Sequence, residues 1–90
     1  MSSLLDKIQS GATIVDVRTP EEFNEEYYPN AINIPVDEVQ MRLNDFGEKT
    51  KPIIVYCASG ARSAYAARIL KMAGYSDVVN AGGLYDMPIM

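Results

Sequence analysis

The sequence predicts an α/β domain built on a mostly parallel sheet that helices cover on both faces. Two observations predict this class. Short apolar runs of strand length alternate along the chain with segments whose apolar residues recur at helical spacing. Strands that alternate with helices form parallel sheets, because each helix carries the chain back to the edge at which the previous strand began. The 90 residues also suit a single domain spanning residues 1–90.

The predicted strands are four apolar runs separated by turn and helix-start signals. They are residues 13–17, 31–35, 52–57 and 77–80, and the third is the most apolar. A proline ends the second run, and the pair Gly82–Gly83 after the fourth predicts a turn. Ligands of such sheets collect where the strands end. Cys57 lies at one of these ends, which makes it the first candidate for a functional residue.

Four helices are predicted beside these strands. The first is capped by Ser2 or Ser3, runs to Gln9 and stops at Gly11. The second has a capping threonine, a proline at its first position and a glutamate three residues after the cap, which are Thr19, Pro20 and Glu22. The third covers residues 37–46, in which three apolar residues have helical spacing: Val39, Leu43 and Phe46.

The fourth helix, residues 62–73, has the clearest amphipathic pattern. Its apolar stripe consists of Ala66, Ile69, Leu70 and Ala73. Arg68 and Lys71 lie on the other side, and Gly74 ends the helix.

Three more residues are predicted to lie in the core or at its border. Met41 and Met72 are interpreted as flexible side chains that fill gaps. Tyr56 is predicted to point to the sheet face opposite Cys57, because successive side chains of a strand alternate between faces.

The composition excludes several classes of function. A net charge of −4 without a basic cluster predicts no binding to nucleic acid, and no apolar run is long enough to span a membrane. With no histidine and one cysteine, the chain contains no Cys–His pair, Ser-His-Asp triad or internal disulfide, and we expect no metal or cofactor. No long apolar segment follows the N-terminus, so we expect a cytoplasmic protein. We also expect a monomer.

Cys57 is followed by a loop suited to stabilising a thiolate. Four small residues form the loop: Ala58, Ser59, Gly60 and Ala61. Gly60 can take the positive φ that turns backbone N–H groups toward the sulfur. The helix beginning near Arg62 adds a partial positive charge and the Arg62 guanidinium a full one, and both lower the pKa of a thiol. A lone cysteine is more often structural, but a core cysteine needs neither this loop nor this arginine, so we interpret Cys57 as reactive.

Four segments of the chain, taken in order, resemble the single-domain rhodaneses, a family of sulfurtransferases. They are IVDVRTPEEF at 14–23, AINIP at 31–35, PIIVYCASGARSAYAARILKMAGY at 52–75 and VVNAGG at 78–83. The most specific part is Cys-x-x-Gly-x-Arg-Ser between a strand and a helix. The resemblance implies a rhodanese-like three-layer fold, with a central sheet of about five short strands flanked by helices.

The resemblance also implies a sulfur-transfer cycle at Cys57. The thiolate would take a sulfur atom from a small anionic donor such as thiosulfate and hold it as a persulfide. Cyanide, a small thiol or an acceptor protein would then receive the sulfur. The loop N–H groups from Ala58 to Arg62 would hold the persulfide, and Arg62 would orient the donor. No histidine is needed once Cys57 is a thiolate.

Three further residues have supporting roles in this interpretation. Asp16 and Arg18 resemble a family element that braces the active loop from the neighbouring strand. A charge pair at the strand end, of Arg18 with Glu22, is an equal alternative to contact with the substrate. Ser63 is predicted to cap or pack the start of the helix rather than to take part in the chemistry.

The chain departs from the family pattern in two places. Residues 26–31 read Glu-Tyr-Tyr-Pro-Asn-Ala where the family often has Gly-His-Ile-Pro-Gly-Ala. Asn30 is therefore predicted to take the left-handed conformation of a glycine, and Tyr27 and Tyr28 to form an aromatic rim. After Gly83 the chain lacks the tryptophan that is common in the family. Both departures leave the donor and acceptor open.

The alternatives to sulfur transfer are a phosphatase or arsenate reductase, a non-catalytic binding module, a redox sensor and a phosphate-binding protein. Phosphatases and arsenate reductases of this fold have five residues between cysteine and arginine, whereas four separate Cys57 from Arg62, and the loop has no carboxylate. Non-catalytic rhodanese modules that bind proteins often lack the cysteine. A redox sensor whose Cys57 is oxidised or glutathionylated stays open as an alternative, although the chain has no second cysteine to resolve it. A phosphate-binding P-loop is excluded, because the Gly-Lys-Ser/Thr ending is missing.

Overall fold

Four parallel strands form the centre of the computed structural model, which describes residues 3–89. In chain order they are β1 (Thr13–Asp16), β2 (Ile32–Asn33), β3 (Ile53–Cys57) and β4 (Val78–Gly83). They lie in the order β2–β1–β3–β4, and each neighbouring pair is parallel. The α/β class and the parallel sheet are therefore confirmed. The expected number of about five strands is one too high for residues 3–89, because the sequence has apolar runs for only four.

The parallel arrangement brings the carboxyl ends of the strands to one edge of the sheet. β1 and β3 are the central strands, and they pair from Thr13 beside Ile53 to Asp16 beside Tyr56. Cys57 follows Tyr56 directly, so the end of β3 and the end of β1 are neighbours. This edge holds the candidate functional site, including Cys57 and Asp16.

The first helix, α1 (Leu4–Gln9), begins at a capping box. The Ser3 hydroxyl accepts a hydrogen bond from the Asp6 N–H, and the Asp6 carboxylate accepts one from the Ser3 N–H. Ser3 is thus the cap that the sequence predicts, whereas Ser2 lies outside the described residues.

The second helix, α2 (Pro20–Glu25), has the predicted capping box as well. The Thr19 hydroxyl accepts from the Glu22 N–H at 3.2 Å, and the Glu22 carboxylate accepts from the Thr19 N–H at 3.1 Å. The box fixes the position of the Glu22 carboxylate, which matters for the site.

The longest of these helices is α3 (Ala61–Met72), which starts one residue before its predicted position. Its predicted apolar stripe is buried or half-buried, and Arg68 and Lys71 are exposed. Met72 and Met41 contradict the prediction, because 83% and 79% of their surfaces are exposed. Met72 is on the outer side of α3, two residues past the buried Leu70. No helix within residues 3–89 is long and apolar enough to span a membrane.

Residues 37–46 do not form the predicted helix. Two short 3₁₀ helices, Val36–Glu38 and Leu43–Phe46, take its place. Arg42 between them has φ −112° and ψ 30°, and Gly47 ends the second with φ 84°. Val39 and Phe46 are nevertheless buried, so the apolar spacing predicts burial correctly even though the helix type is wrong.

Side chains alternate along β3 and build two separate cores. Ile53, Val55 and Cys57 pack in the core that α3 covers. Ile54 and Tyr56 point to the opposite face, where residues of α1 and of the C-terminal segment cover them. The predicted orientation of Tyr56 away from Cys57 is confirmed.

The segment before β2 retains the predicted turn but only half of the aromatic rim. Asn30 has φ 68°, the left-handed conformation expected of it. Tyr27 is 54% exposed, whereas Tyr28 is 7% exposed and donates its hydroxyl hydrogen to the Pro88 carbonyl. The rim is therefore Tyr27 alone, because Tyr28 packs in the second core.

We expect Leu70→Ala to lower the free energy of unfolding by about 2–5 kcal/mol, because it leaves a cavity under α3. Met72→Ala removes a side chain of similar size from the exposed side of the same helix and should change it by no more than about 0.5 kcal/mol. Urea unfolding, monitored by circular dichroism, measures the free energy of unfolding of both variants. Equal losses would contradict the packing described for α3.

Candidate active site

Cys57 ends β3 and lies at the entry to a short loop that leads into α3. The loop turns at Gly60, which has φ +100° and immediately precedes the helix. A side chain is disfavoured there by this conformation, and a Cβ would also lie 3.3 Å from Gly82 Cα. Ala58, Ser59 and Ala61 are exposed, so the loop presents small side chains to solvent.

Three hydrogen-bonding groups surround the Cys57 sulfur. The Gly60 N–H donates to Sγ at 3.0 Å and the Ser63 N–H at 3.4 Å. The Ser63 hydroxyl lies 3.3 Å from Sγ. Cys57 has no exposed surface, so a reagent reaches the sulfur only after a small opening of the residues around it.

These hydrogen bonds determine the acidity of the thiol. Burial by itself raises the pKa of Cys57. Hydrogen bonds from the Ser63 hydroxyl and from the N–H groups of Ser63, Gly60 and Ser59 outweigh this effect and lower the pKa to about 7. Near neutral pH, Cys57 is therefore divided between thiol and thiolate. Ser63 contacts the sulfur and is also buried in the first turn of α3, where the sequence predicts that it packs.

Asn80 of β4 is a site residue that the sequence analysis missed. Its Oδ1 accepts a hydrogen bond from the Gly82 N–H at 3.0 Å and lies 2.6 Å from the Ser63 hydroxyl oxygen, whose one hydrogen goes either to Oδ1 or to the Cys57 sulfur. Its Nδ2 donates to the Gly60 carbonyl at 3.1 Å. Asn80 thus joins the loop to β4, and the available signal was an amide residue closing the apolar run before two glycines.

Gly83 allows β4 to approach the loop closely. β4 extends to Gly83 instead of ending at residue 80, and Gly83 pairs with Cys57. A Cβ on Gly83 would lie 2.2 Å from the Ala58 carbonyl oxygen. The glycine pair predicted as a turn is therefore part of the strand, because only glycine fits beside the loop.

Asp16 and Arg18 form a buried ion pair at the end of β1. Arg18 Nη2 lies 2.6 Å from Asp16 Oδ2, and the Arg18 Nε donates to the same carboxylate. Arg18 also donates to the Glu26 carbonyl at 2.6 Å. The alternative pair of Arg18 with Glu22 is wrong, because the Asp16 carboxylate already occupies the guanidinium.

Glu22 instead pairs with Arg62 across the site. Arg62 Nη1 lies 2.7 Å from Glu22 Oε1, and Nη2 lies 3.1 Å from Oε2. The hydrogen bond from Arg62, together with one from the Thr19 N–H, lowers the pKa of Glu22 to about 2. The positive charge that the sequence places on Arg62 is therefore balanced by Glu22, and none of the Cys57 hydrogen bonds given above comes from Arg62.

Comparison with known proteins identifies the family. A family model described as the rhodanese-like domain matches residues 1–86. The chain belongs to the rhodanese-like domain family. This rhodanese-like domain is 43% identical over 74 residues to the thiosulfate sulfurtransferase PspE of Escherichia coli, an alignment that covers 81% of this chain and 71% of PspE.

Solved structures agree with the family and with the fold. A rhodanese with anions from E. coli superposes with a TM-score of 0.82 at 40% identity, over 89% of this chain and 95% of that one. The human single-domain sulfurtransferase TSTD1 gives a TM-score of 0.80 at 27% identity, over 91% of this chain and 85% of that one. This rhodanese-like domain therefore has relatives named for sulfur transfer.

We expect Ser63→Ala to raise the pKa of Cys57 by about one pH unit, because the thiolate loses a hydrogen bond from a hydroxyl group. The pH dependence of thiol alkylation measures this pKa. Ser59→Ala is the matched control, because it is the same substitution at a nearby side chain that forms no hydrogen bond with the sulfur. It should leave the pH dependence of alkylation unchanged. A profile unchanged by Ser63→Ala would contradict the role of the hydroxyl.

Proposed function

We propose that this protein is a sulfurtransferase that carries sulfane sulfur as a persulfide on Cys57. One observation carries the proposal: the Cys57 sulfur is enclosed by N–H and hydroxyl donors that hold its pKa at about 7. Such an environment stabilises an anionic sulfur without a histidine. The family and its relatives named as sulfurtransferases support the same reaction class.

In the first step the Cys57 thiolate attacks the outer sulfur of a small anionic donor such as thiosulfate. A sulfur–sulfur bond forms to Cys57, the bond between the two donor sulfurs breaks with its electron pair on the leaving group, and sulfite departs. The protein holds Cys57–S–S⁻. No proton is transferred, so no general base is required.

In the second step an acceptor takes the outer sulfur. Cyanide attacks that sulfur, the sulfur–sulfur bond breaks, thiocyanate leaves and the Cys57 thiolate returns. A small thiol or an acceptor protein would receive the sulfur in the same way. The loop N–H groups from Ala58 to Arg62 would stabilise the outer sulfur of the persulfide until the acceptor attacks it.

Two features of the site disfavour a phosphatase. The four-residue spacing between Cys57 and Arg62 makes a smaller loop than phosphatases of this fold use. Phosphate release also needs an acid, and the carboxylates of Asp16 and Glu22 are both held by arginines. A carboxylate with a pKa of about 2, as Glu22 has, does not hold a proton at neutral pH.

Several expectations about the whole protein stay predictions. They are that residues 1–90 form one domain, that the protein is a cytoplasmic monomer, and that it acts without metal, cofactor, nucleic acid or membrane. The roles of Asp16 and Arg18 also belong here. Their buried ion pair suits a brace for the active loop, because both of its charges are satisfied by each other and by neighbouring backbone.

Intact mass after incubation with excess thiosulfate tests the proposal. We expect the wild type to gain one sulfur atom, Cys57→Ser to gain none, and cyanide to remove the added sulfur. The rate of the first step should rise with pH and reach half its maximum near pH 7, because only the thiolate reacts. The absence of an adduct on protein shown to be reduced would contradict thiosulfate as the donor, and turnover of an aryl phosphate would favour the phosphatase instead.

A further inference from the structure

We infer that Glu22 is a specificity-determining residue: by neutralising Arg62 beside Cys57, its carboxylate makes the site discriminate against negative charge on the incoming reagent. The part of this inference that concerns sulfur donors rests on the proposed function. The part that concerns the charge around Cys57 does not.

The geometry of the Glu22–Arg62 pair shows how Arg62 is occupied. Two guanidinium nitrogens face two carboxylate oxygens, at 2.7 Å and 3.1 Å. This bidentate arrangement is a strong pairing of arginine with a carboxylate, and it occupies the edge of the guanidinium formed by Nη1 and Nη2. Both side chains are 35% exposed, so the pair lies at the surface rather than in the core.

The capping box keeps Glu22 in place. Its Oε1 accepts hydrogen bonds from the Thr19 N–H at 3.1 Å and from the Thr19 hydroxyl at 3.2 Å, in addition to the one from Arg62. A carboxylate held by three donors does not swing away freely when an anion approaches. The neutralisation of Arg62 is therefore part of the resting structure.

Each of the two ion pairs near Cys57 consequently has no net charge. Asp16 pairs with Arg18, and Glu22 pairs with Arg62, so these four side chains have no net charge. A Cys57 thiolate adds one negative charge to this set. An anionic reagent then meets attraction from the loop N–H groups but no unpaired guanidinium within this set of side chains. Removing the charge of Glu22 leaves Arg62 with a full positive charge, which attracts anions.

Alkylation by two matched reagents measures this local charge. Iodoacetate and iodoacetamide are of similar size, and the thiolate attacks the same CH₂ carbon in both and displaces iodide, but only iodoacetate is anionic. The ratio of their second-order rate constants cancels changes in the Cys57 pKa and in the opening that exposes the sulfur, because both affect the two reagents alike. Cys57 is the only cysteine, so the site of reaction is defined.

We expect Glu22→Gln to raise the iodoacetate-to-iodoacetamide ratio about fivefold at low ionic strength, and the gain to shrink as salt is added. Glutamine retains the oxygen that caps α2, so the helix start is preserved. Glu21→Gln is the matched control: it removes the same charge from the same turn of α2, at an exposed side chain that forms no hydrogen bond with Arg62. Its ratio should rise less than half as much.

A second pair of variants completes the test even where Glu22→Gln folds poorly. Arg62→Gln leaves Glu22 unpaired and should lower the ratio, whereas the double variant with Glu22→Gln should return it to near the wild-type value. An unchanged or lower ratio in folded Glu22→Gln, or equal increases in the Glu21 and Glu22 variants, would overturn the inference. A lower ratio in folded Glu22→Gln would show instead that Glu22 holds Arg62 in position to bind anions.

The same variants then separate this inference from the proposed function. If thiosulfate forms a persulfide, Glu22→Gln should increase kcat/KM for thiosulfate by more than the factor found for the ratio, because thiosulfate carries two negative charges and iodoacetate one; the increase should again be larger at low salt. If thiosulfate forms no adduct while the alkylation ratio still rises, the donor assignment fails and the charge assignment stands. A raised ratio with a lowered kcat/KM would overturn the link between Glu22 and donor selectivity.

Discussion

The close approach of β4 to the loop after Cys57 is the constraint on which the site depends. Gly83 pairs with Cys57, and Asn80 holds both Ser63 and the Gly60 carbonyl. Without these contacts the loop would have no neighbour to keep its N–H groups directed at the sulfur. The low pKa of Cys57 is therefore a consequence of strand packing, and it follows from hydrogen bonds rather than from an adjacent free cation.

Two ion pairs lie near this cysteine, and the charges within each pair cancel. One ion pair is buried at the end of β1, and the other joins the starts of α2 and α3. Burying Asp16 beside Arg18 avoids leaving a charge unpaired in the core, which is far more costly than the pair itself. Hydrogen-bond dipoles therefore stabilise the Cys57 thiolate, whereas the charges of both arginines are already paired.

Much of the fold follows from local sequence signals. The capping box of α2, the position of Cys57 after β3 and the positive φ of Asn30 depend on residues within a few positions of one another, and each is predicted correctly. The stretch 37–46 shows the limit of this method. Its apolar spacing predicts that Val39 and Phe46 are buried, but the backbone leaves the helical conformation at Arg42. This happens although Arg42 pairs with Glu38 and Asp45 at helical spacing.

The sequence by itself determined the fold class, the edge of the sheet that carries the candidate site, and Cys57 as the candidate nucleophile. Only the tertiary structure decided which charges pair, because Glu22 and Arg62 are 40 positions apart and two carboxylates compete for two arginines. It also decided that Ser63, held by Asn80 from 17 positions away, contacts the sulfur. Local signals specify backbone conformation over a few residues, whereas the partner of a side chain is set by which distant elements packing brings within hydrogen-bonding distance.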